Sequence, residues 1–319
     1  MIIRFGYVAM SAILEDCSPS QTITFKNLSK ITSAEGKHSK LFTLAKRNLQ
    51  NIQRLFFHNQ AHDIKVFRLT SKLVPLATHP DTQEWNWAME LKQEFKKLGK
   101  YAREHGFRLS AHPDHFTLLN SPRDEILAAS IKDLEYHRQI FAGMEMDASS
   151  KLVIHVGGCY KNKADSLKRF KRNYLELPGH LKERIVLEND DKIFTARDVL
   201  DICTDVGIPM VLDIHHHWCN NYADNIEDYL PAIFATWQKE TCPPKIHLSS
   251  PKDTKHFRHH ADYIDSAFFL DFLTRAKTVD QDLDVMIEAK LKDKALFHLM
   301  QELRETPGIK IINQASIAI

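Results

Sequence analysis

Residues 185–213 read IVLENDDKIFTARDVLDICTDVGIPMVLD, and this stretch decides the fold. It opens on the apolar run Ile185-Val186-Leu187, closed by Glu188, and ends on Met210-Val211-Leu212, closed by Asp213. Runs this short and this apolar read as strands buried on both faces, the kind found in parallel sheets covered by helices. Between them Thr195 and Asp198 make a capping-box pair, and Val199, Ile202, Cys203 and Val206 recur at helical spacing until Gly207 stops the helix. The unit is strand, helix, strand, with an acid closing each strand.

Outward from this unit the pattern repeats. Apolar runs at about 2–8, 64–70, 107–112, 152–157, 184–189, 208–214, 244–249 and 283–288 give eight strand candidates. The stretches between them carry helical stripes, such as Leu41, Leu44, Ala45, Leu49, Ile52, Leu55 and Phe56, and later Leu127, Ile131, Leu134 and Phe141. Eight strand–helix alternations predict an α/β fold, a (β/α)8 TIM barrel in a single domain over residues 1–319. The barrel is expected within about 2–305, and the tail at about 307–319 receives no role. A doubly wound open sheet is the alternative, but no GxGxxG loop follows the first strand. Long loops at 9–40, 70–84, 113–121 and 248–265 each follow a strand, where a barrel builds its binding surface.

The 319 residues, 43% hydrophobic and 26% charged, describe a soluble globular enzyme. No apolar stretch approaches the ~20 residues that span a bilayer, and no basic segment followed by an apolar one opens the chain. Five scattered cysteines without a CxxC pair fit a reducing, cytoplasmic setting, with no membrane and no obligatory protein partner expected. A net charge of +2 excludes a uniformly basic nucleic-acid coat. Two local clusters stand out: Lys161, Lys163, Lys168, Arg169, Lys171 and Arg172, then Lys252, Lys255, His256, Arg258, His259 and His260. A solvated face is the bland reading. Both clusters follow strands that end in candidate ligands, which favours phosphate contacts.

The strand ends carry the chemistry. His112, His155, Glu188, Asp213, His247 and Glu288 close or follow six successive strand candidates, with His216 and His260 in the loops after strands six and seven. Imidazole and carboxylate without cysteine suit zinc, manganese or iron. Eight ligands exceed the needs of one ion, and Glu188 and Asp213 are natural bridges between two or three. His215 and His217 are weaker candidates: alternation puts His215 on the face of Asp213 only if the strand continues, and it is expected to end there, so His216 is favoured chiefly by the resemblance given below. A lone histidine in an apolar run is more often a hydrogen-bonded core residue; it is the repetition that supports metal.

With these residues quoted, the chain resembles the ultraviolet-damage endonuclease family, relatives of endonuclease IV, over about residues 2–290. The most specific stretches are Phe5-Gly6-Tyr7, Phe67-Arg68-Leu69-Thr70-Ser71, Ser110-Ala111-His112-Pro113, His155-Val156-Gly157-Gly158, Leu187-Glu188-Asn189-Asp190, Asp213-Ile214-His215-His216, Lys245-Ile246-His247 and His260-Ala261-Asp262-Tyr263. The resemblance implies metal-dependent incision of double-stranded DNA immediately 5′ to cyclobutane pyrimidine dimers and (6-4) photoproducts, leaving a 3′-hydroxyl and a 5′-phosphate. It implies two or three divalent ions, manganese first, with zinc or cobalt as substitutes. The eight candidates match the family's ligand positions, and Lys245 matches a position that can carry a carboxylated lysine. Glu188, Lys245, His216 and His260 are the catalytic candidates, the two histidines expected to hold the ion that stabilises the leaving 3′-oxygen. His115 and Phe116 stand where the family commonly has a Gln-Tyr pair that wedges into the duplex, and Tyr7 where a residue lines the lesion pocket. Rival readings are an apurinic-site endonuclease, a metal-dependent sugar isomerase or epimerase, and a damage sensor that binds without cutting.

Overall fold

Each strand candidate becomes a strand, most of them shorter than the apolar run that announced it. The protein is described by a computed structural model covering every residue except position 222. The strands are β1 (Ile2–Val8), β2 (Val66–Leu69), β3 (Arg108–Ala111), β4 (Lys151–His155), β5 (Ile185–Glu188), β6 (Met210–Asp213), β7 (Lys245–Leu248) and β8 (Leu283–Ile287). Neighbours in sequence pair in parallel from β2 to β8, β8 pairs with β1, and Gly6–Val8 pair with Val66–Arg68 to close the ring. The (β/α)8 barrel is the observed architecture.

The pleat sorts side chains into two sets. Inside the barrel Val8, Val66 and Met286 pack together, as do Val153, Val186 and Val211 against Trp237. Gly6 belongs to this crowded interior: a Cβ there would come within 2.0 Å of the Val66 carbonyl oxygen, so only glycine fits. Outside, Leu41, Ala45, Leu49, Ile52, Leu55 and Phe56 of the helix Ala34–Ala61 are buried against the strands. Each buried leucine, isoleucine and phenylalanine side chain contributes about 1.5–3 kcal/mol. The Thr195–Asp198 capping box forms, and Gly207 ends its helix with a left-handed φ of 71°.

Beneath the interior lies a buried ion cluster. Asp284, 0% exposed, accepts from Arg4 Nε at 2.7 Å and Nη2 at 2.8 Å, and from Arg108 Nη1. The Arg108 guanidinium also lies over the Trp237 ring. Two cations on one buried acid are costly to strand. Asp284→Ala is expected to lose about 3–5 kcal/mol, read by urea unfolding; a loss under about 1 kcal/mol would contradict the cluster's importance.

The tail has a place after all. β9 (Lys310–Asn313) and β10 (Ser316–Ala318) form an antiparallel hairpin, and β10 pairs with Ile2–Arg4. It extends β1 at the end away from the strand-end ligands. The polar insertion expected at 9–40 is partly helical, with a turn at Phe25–Leu28 and the start of Ala34–Ala61, capped by Ser33. Among the described residues no helix is long and apolar enough to cross a membrane.

Candidate metal centre

Parallel strands aim their C-terminal ends at one mouth, and alternate residues point inward. His155, Glu188 and Asp213 are the last residues of β4, β5 and β6; His112 and Glu288 directly follow β3 and β8; His247 lies in β7. Register brings them level: His155 stands opposite Glu188 and Asp213 opposite His247. Residues far apart in the chain therefore meet.

Glu188, 1% exposed, is the hub. Its Oε2 lies 3.0 Å from His112 Nε2 and 3.6 Å from His155 Nε2; its Oε1 lies 2.8 Å from His247 Nδ1 and 3.6 Å from His216 Nδ1. His247 Nδ1 is also 3.1 Å from Glu288 Oε1. Two groups have donor atoms close enough to share an ion: His112, His155 and Glu188, and Glu188, Asp213, His247 and Glu288. Glu188 belongs to both. His216 and His260 stand at the edge, with Nδ1 of His216 3.0 Å from the Asn189 carbonyl and Nδ1 of His260 2.7 Å from the Glu288 carbonyl. Such backbone anchors fix a ring so that its other nitrogen can ligate.

Electrostatics describes a centre short of positive charge. Burial alone would raise the Glu188 pKa, but His247 and His155, with the His112 contact, hold it well below the usual carboxylate range. Burial likewise opposes ionised Glu288, and Arg68 and His247 outweigh it, so that carboxyl is also held low. Asp213 goes the other way, pushed up by burial and then by Glu188 and Glu288, against the pull of His216. For His216 burial disfavours the cation, yet Asp213, Glu188 and Glu288 push its pKa up to about 9. Asp213 Oδ2 and His247 Nε2 are buried with no hydrogen-bond partner. A buried polar atom left so costs about 1–3 kcal/mol, and a divalent ion would satisfy the carboxylate oxygen and neutralise its neighbours. The donor set fits such an ion.

This arrangement of strand-end acids and imidazoles sits on a barrel that known proteins share. The model for "UV-endonuclease UvdE" matches residues 3–318. The chain belongs to the UV-endonuclease UvdE family. A "UV DNA damage endonuclease" from Bacillus thuringiensis subsp. konkukian (strain 97-27) is 42% identical over 317 residues, 99% of each chain. The solved structure of SacUVDE superposes with a TM-score of 0.82 at 31% identity, over 95% of this chain and 98% of that one. Endonuclease IV from Thermus thermophilus shares the fold, with a TM-score of 0.56 at 15% identity over 95% of this chain and 100% of that one.

Not every expected residue of this UvdE-family chain reaches the mouth. Tyr7, expected to line a lesion pocket, lies on the outer face of β1. Gly6 and Val8 take the inward positions, so the pleat turns Tyr7 toward the helix Ala34–Ala61. Its hydroxyl donates to Asn59 Oδ1 at 2.6 Å, its ring meets Phe67 edge-on, and it is 0% exposed. The first basic cluster is also partly committed elsewhere. Lys163 pairs with Asp198 at 2.6 Å, Lys171 pairs with Asp205, and Arg169 Nε donates to the Asn120 carbonyl, all of which brace a helix. His215 packs edge-on against His260 but has both nitrogens engaged elsewhere, with Nδ1 2.7 Å from Ser249 Oγ and Nε2 2.7 Å from the Phe257 carbonyl. The helix Ile214–Cys219 starts directly after Asp213 and rotates it there.

His115 and Phe116 are exposed on the loop after β3, Phe116 by 70%, their ring centroids 3.9 Å apart. His115, whose neighbour in the chain is Phe116, lines a cleft of about 320 Å³ together with His112, His155, Asp191, Lys192 and His216 among others. Gly157 forms its wall at φ 117°, with a Cβ position 2.2 Å from Asn120 Oδ1.

Two residues escaped the sequence reading. Arg68, projecting inward from β2, donates to Glu288 Oε1. Asn189 is fully buried and splices β5 to β6: its Nδ2 donates to the Asp213 carbonyl and its Oδ1 accepts from Asp213 N, both at 2.9 Å. With its own carbonyl on His216, it orients two ligands at once. Its signal was adjacency to Glu188, masked because asparagine reads as a turn residue. Asn189→Ala is expected to weaken manganese binding ~10–100-fold, checked by titration calorimetry; unchanged affinity would contradict this role.

Proposed function

We propose that the protein is a metal-dependent endonuclease that nicks double-stranded DNA immediately 5′ to ultraviolet photoproducts, leaving a 3′-hydroxyl and a 5′-phosphate. Cyclobutane pyrimidine dimers and (6-4) photoproducts are the lesions. The observation that carries the reading is Glu188, the one carboxylate common to both ligand groups, within 3.6 Å of four histidines in a family whose characterised names are ultraviolet endonucleases.

Two or three divalent ions, manganese first, are assigned to His112, His155, Glu188, Asp213, His216, His247, His260 and Glu288. When bound, such ions lower the pKa of coordinated water and offset charge on the phosphate through an in-line displacement. Glu188 spans the two ligand groups and fixes their separation. His216 and His260, held by backbone carbonyls, would hold the ion that stabilises the leaving 3′-oxygen. His115 and Phe116 are the wedge: flat, exposed and adjacent to the cleft, they can fill the gap left by an everted dimer. Damaged DNA has already lost stacking, so selection rests on deformability and not on base contacts.

Lys245 is the second catalytic candidate. It lies in the barrel interior, 2% exposed, and Nζ donates to Ser110 Oγ at 3.0 Å. Burial, with Arg108 nearby, holds its amine well below the usual lysine range. A neutral amine is the form that adds to carbon dioxide, giving a carbamate and releasing one proton, so the carboxylated lysine has support in the site's chemistry.

The test is a duplex carrying one thymine dimer and a 5′-label. The expected product ends one phosphodiester before the dimer, is extended by a polymerase, and leaves a downstream fragment that ligase accepts. Preferential cleavage of an abasic duplex would contradict the assignment in favour of an apurinic-site enzyme, and epimerisation of a free sugar without nicking would contradict it altogether.

A further inference from the structure

Across the mouth from His115 and Phe116 stands a second aromatic feature that the proposed reaction has not used. The loop after β7 folds as a hairpin: Ala261 N donates to the Ser250 carbonyl and Lys252 N to the His259 carbonyl, both at 2.8 Å. It leans over the helix that follows β6. His215 Nε2 and Cys219 Sγ both contact the Phe257 carbonyl, and the Trp218 ring meets the Phe257 ring at 6.1 Å. The tip continues as far as the loop after β5, where Arg258 Nε donates to the Asp191 carbonyl at 3.1 Å while its guanidinium stacks over Phe257. Asp191 lines the cleft that opens on His112, His155 and His216. The ridge thus joins the edge of that cleft through Asp191.

The strand order makes the placement symmetrical. In a closed ring of eight, β3 and β7 are four steps apart, so the Phe116 loop and the 250–261 hairpin face each other across the ligands. A duplex that presents a phosphate to Glu188 must pass between them. The ridge has the chemistry of a nucleic-acid contact. Lys252, Lys255 and Arg258 are exposed, as is Lys192 beside them. The two acids are occupied, Asp253 by the Lys255 and His256 backbone amides and Asp191 by Arg258. Trp218 is 47% exposed, whereas Trp85, Trp87 and Trp237 are each 8% or less. An indole so exposed, packed against the Phe257 ring that carries the Arg258 guanidinium, suits a base or sugar face next to phosphates.

We propose that Trp218, Phe257 and Arg258, with Lys252 and Lys255, form a second jaw that grips one flank of the damaged duplex opposite the His115–Phe116 wedge. The inference rests on the endonuclease reading and names a surface of that same site. Its rigidity comes from the bonds of His215 and Arg258, so the jaw is formed before DNA arrives and costs little ordering entropy on binding.

Trp218 supplies its own reporter, because it is the one exposed tryptophan. A dimer-containing duplex with a non-cleavable linkage at the scissile position is titrated into the protein, and emission and acrylamide quenching are followed. The expected result is a blue shift and a loss of quencher access that disappear in Trp218→Phe, read against the buried tryptophans. On cleavable substrate, Trp218→Ala is expected to raise KM ~5–50-fold with kcat within about twofold. The double variant Lys252→Gln/Lys255→Gln should flatten the dependence of log Kd on log salt by about 0.9 for each phosphate no longer neutralised. Unchanged Trp218 accessibility at saturating duplex, with wild-type KM and salt slope in these variants, would overturn the jaw while leaving the endonuclease intact. Absence of any incision by the wild-type protein would overturn both.

Discussion

Glu188→Gln is expected to reduce incision of irradiated DNA by about 10³-fold or more, while the barrel stays folded. The substitution keeps the volume and one acceptor oxygen but removes the charge that both ligand groups share. Losing one preorganised electrostatic contact at a phosphate typically costs ~10²–10³ in rate, and Glu188 serves two clusters. Without metal the variant should also be less stable, because the folded site holds the Glu188 pKa well below the usual carboxylate range and so favours its charge. Its contacts to His112 and His247 weaken, which outweighs the relief of repulsion from Asp213 and Glu288. Circular dichroism and the chelator-treated Tm report the fold, and nicking of irradiated plasmid reports the chemistry. Wild-type incision by Glu188→Gln would remove the hub from the mechanism.

The second large effect is linkage between metal, protons and stability. Manganese at about 100 times its Kd should stabilise the fold by about 2.7 kcal/mol per independent site, seen as a rise in Tm that chelator reverses. The pH dependence has a definite sign. In the metal-free protein His216 has a pKa raised to about 9. Its proton contributes stability that is fully present below the unfolded histidine value, ~6.5, and is lost as pH rises through about 9. Glu188 and Glu288 have depressed pKa values, so their contribution is present above the unfolded carboxylate value and is lost as pH falls below it. A ligating imidazole must be neutral, so manganese has to displace the His216 proton. Apparent manganese affinity should therefore climb between pH 7 and 9, measured by calorimetry with release of about one proton. A flat affinity across that window, or a Tm indifferent to manganese, would contradict the assignment of His216.

The barrel was legible because its strands are apolar on both faces and its helices carry clean stripes. The unit at 185–213 alone specifies strand, cap, helix, glycine stop and strand, and every part is present. The meeting of the strand-end acids and imidazoles was legible for a geometric reason: parallel strands align their ends, so a residue that closes one run is a neighbour of the residue closing the next. His155 beside Glu188 follows from register alone. The C-terminal hairpin was not, because Lys310-Ile311-Ile312-Asn313 alternates weakly and its pairing with β1 spans the whole chain. The side taken by Tyr7 was not legible, because it depends on Gly6 facing the Val66 carbonyl inside the barrel. With Gly6 inward, period two already turns Tyr7 outward to Asn59. Within the basic run at 161–172, charge spacing on a helix does not reveal partners on the next one, where Asp198 and Asp205 pair with Lys163 and Lys171. Asn189 and Arg68 act through bonds between strands that sequence spacing does not encode.

The most direct test is nicking of supercoiled plasmid, irradiated or not, by purified protein with manganese and with excess chelator. The account predicts conversion to open circles only for irradiated plasmid and only with manganese. Equal nicking of both plasmids, or full nicking of irradiated plasmid in chelator, would contradict it.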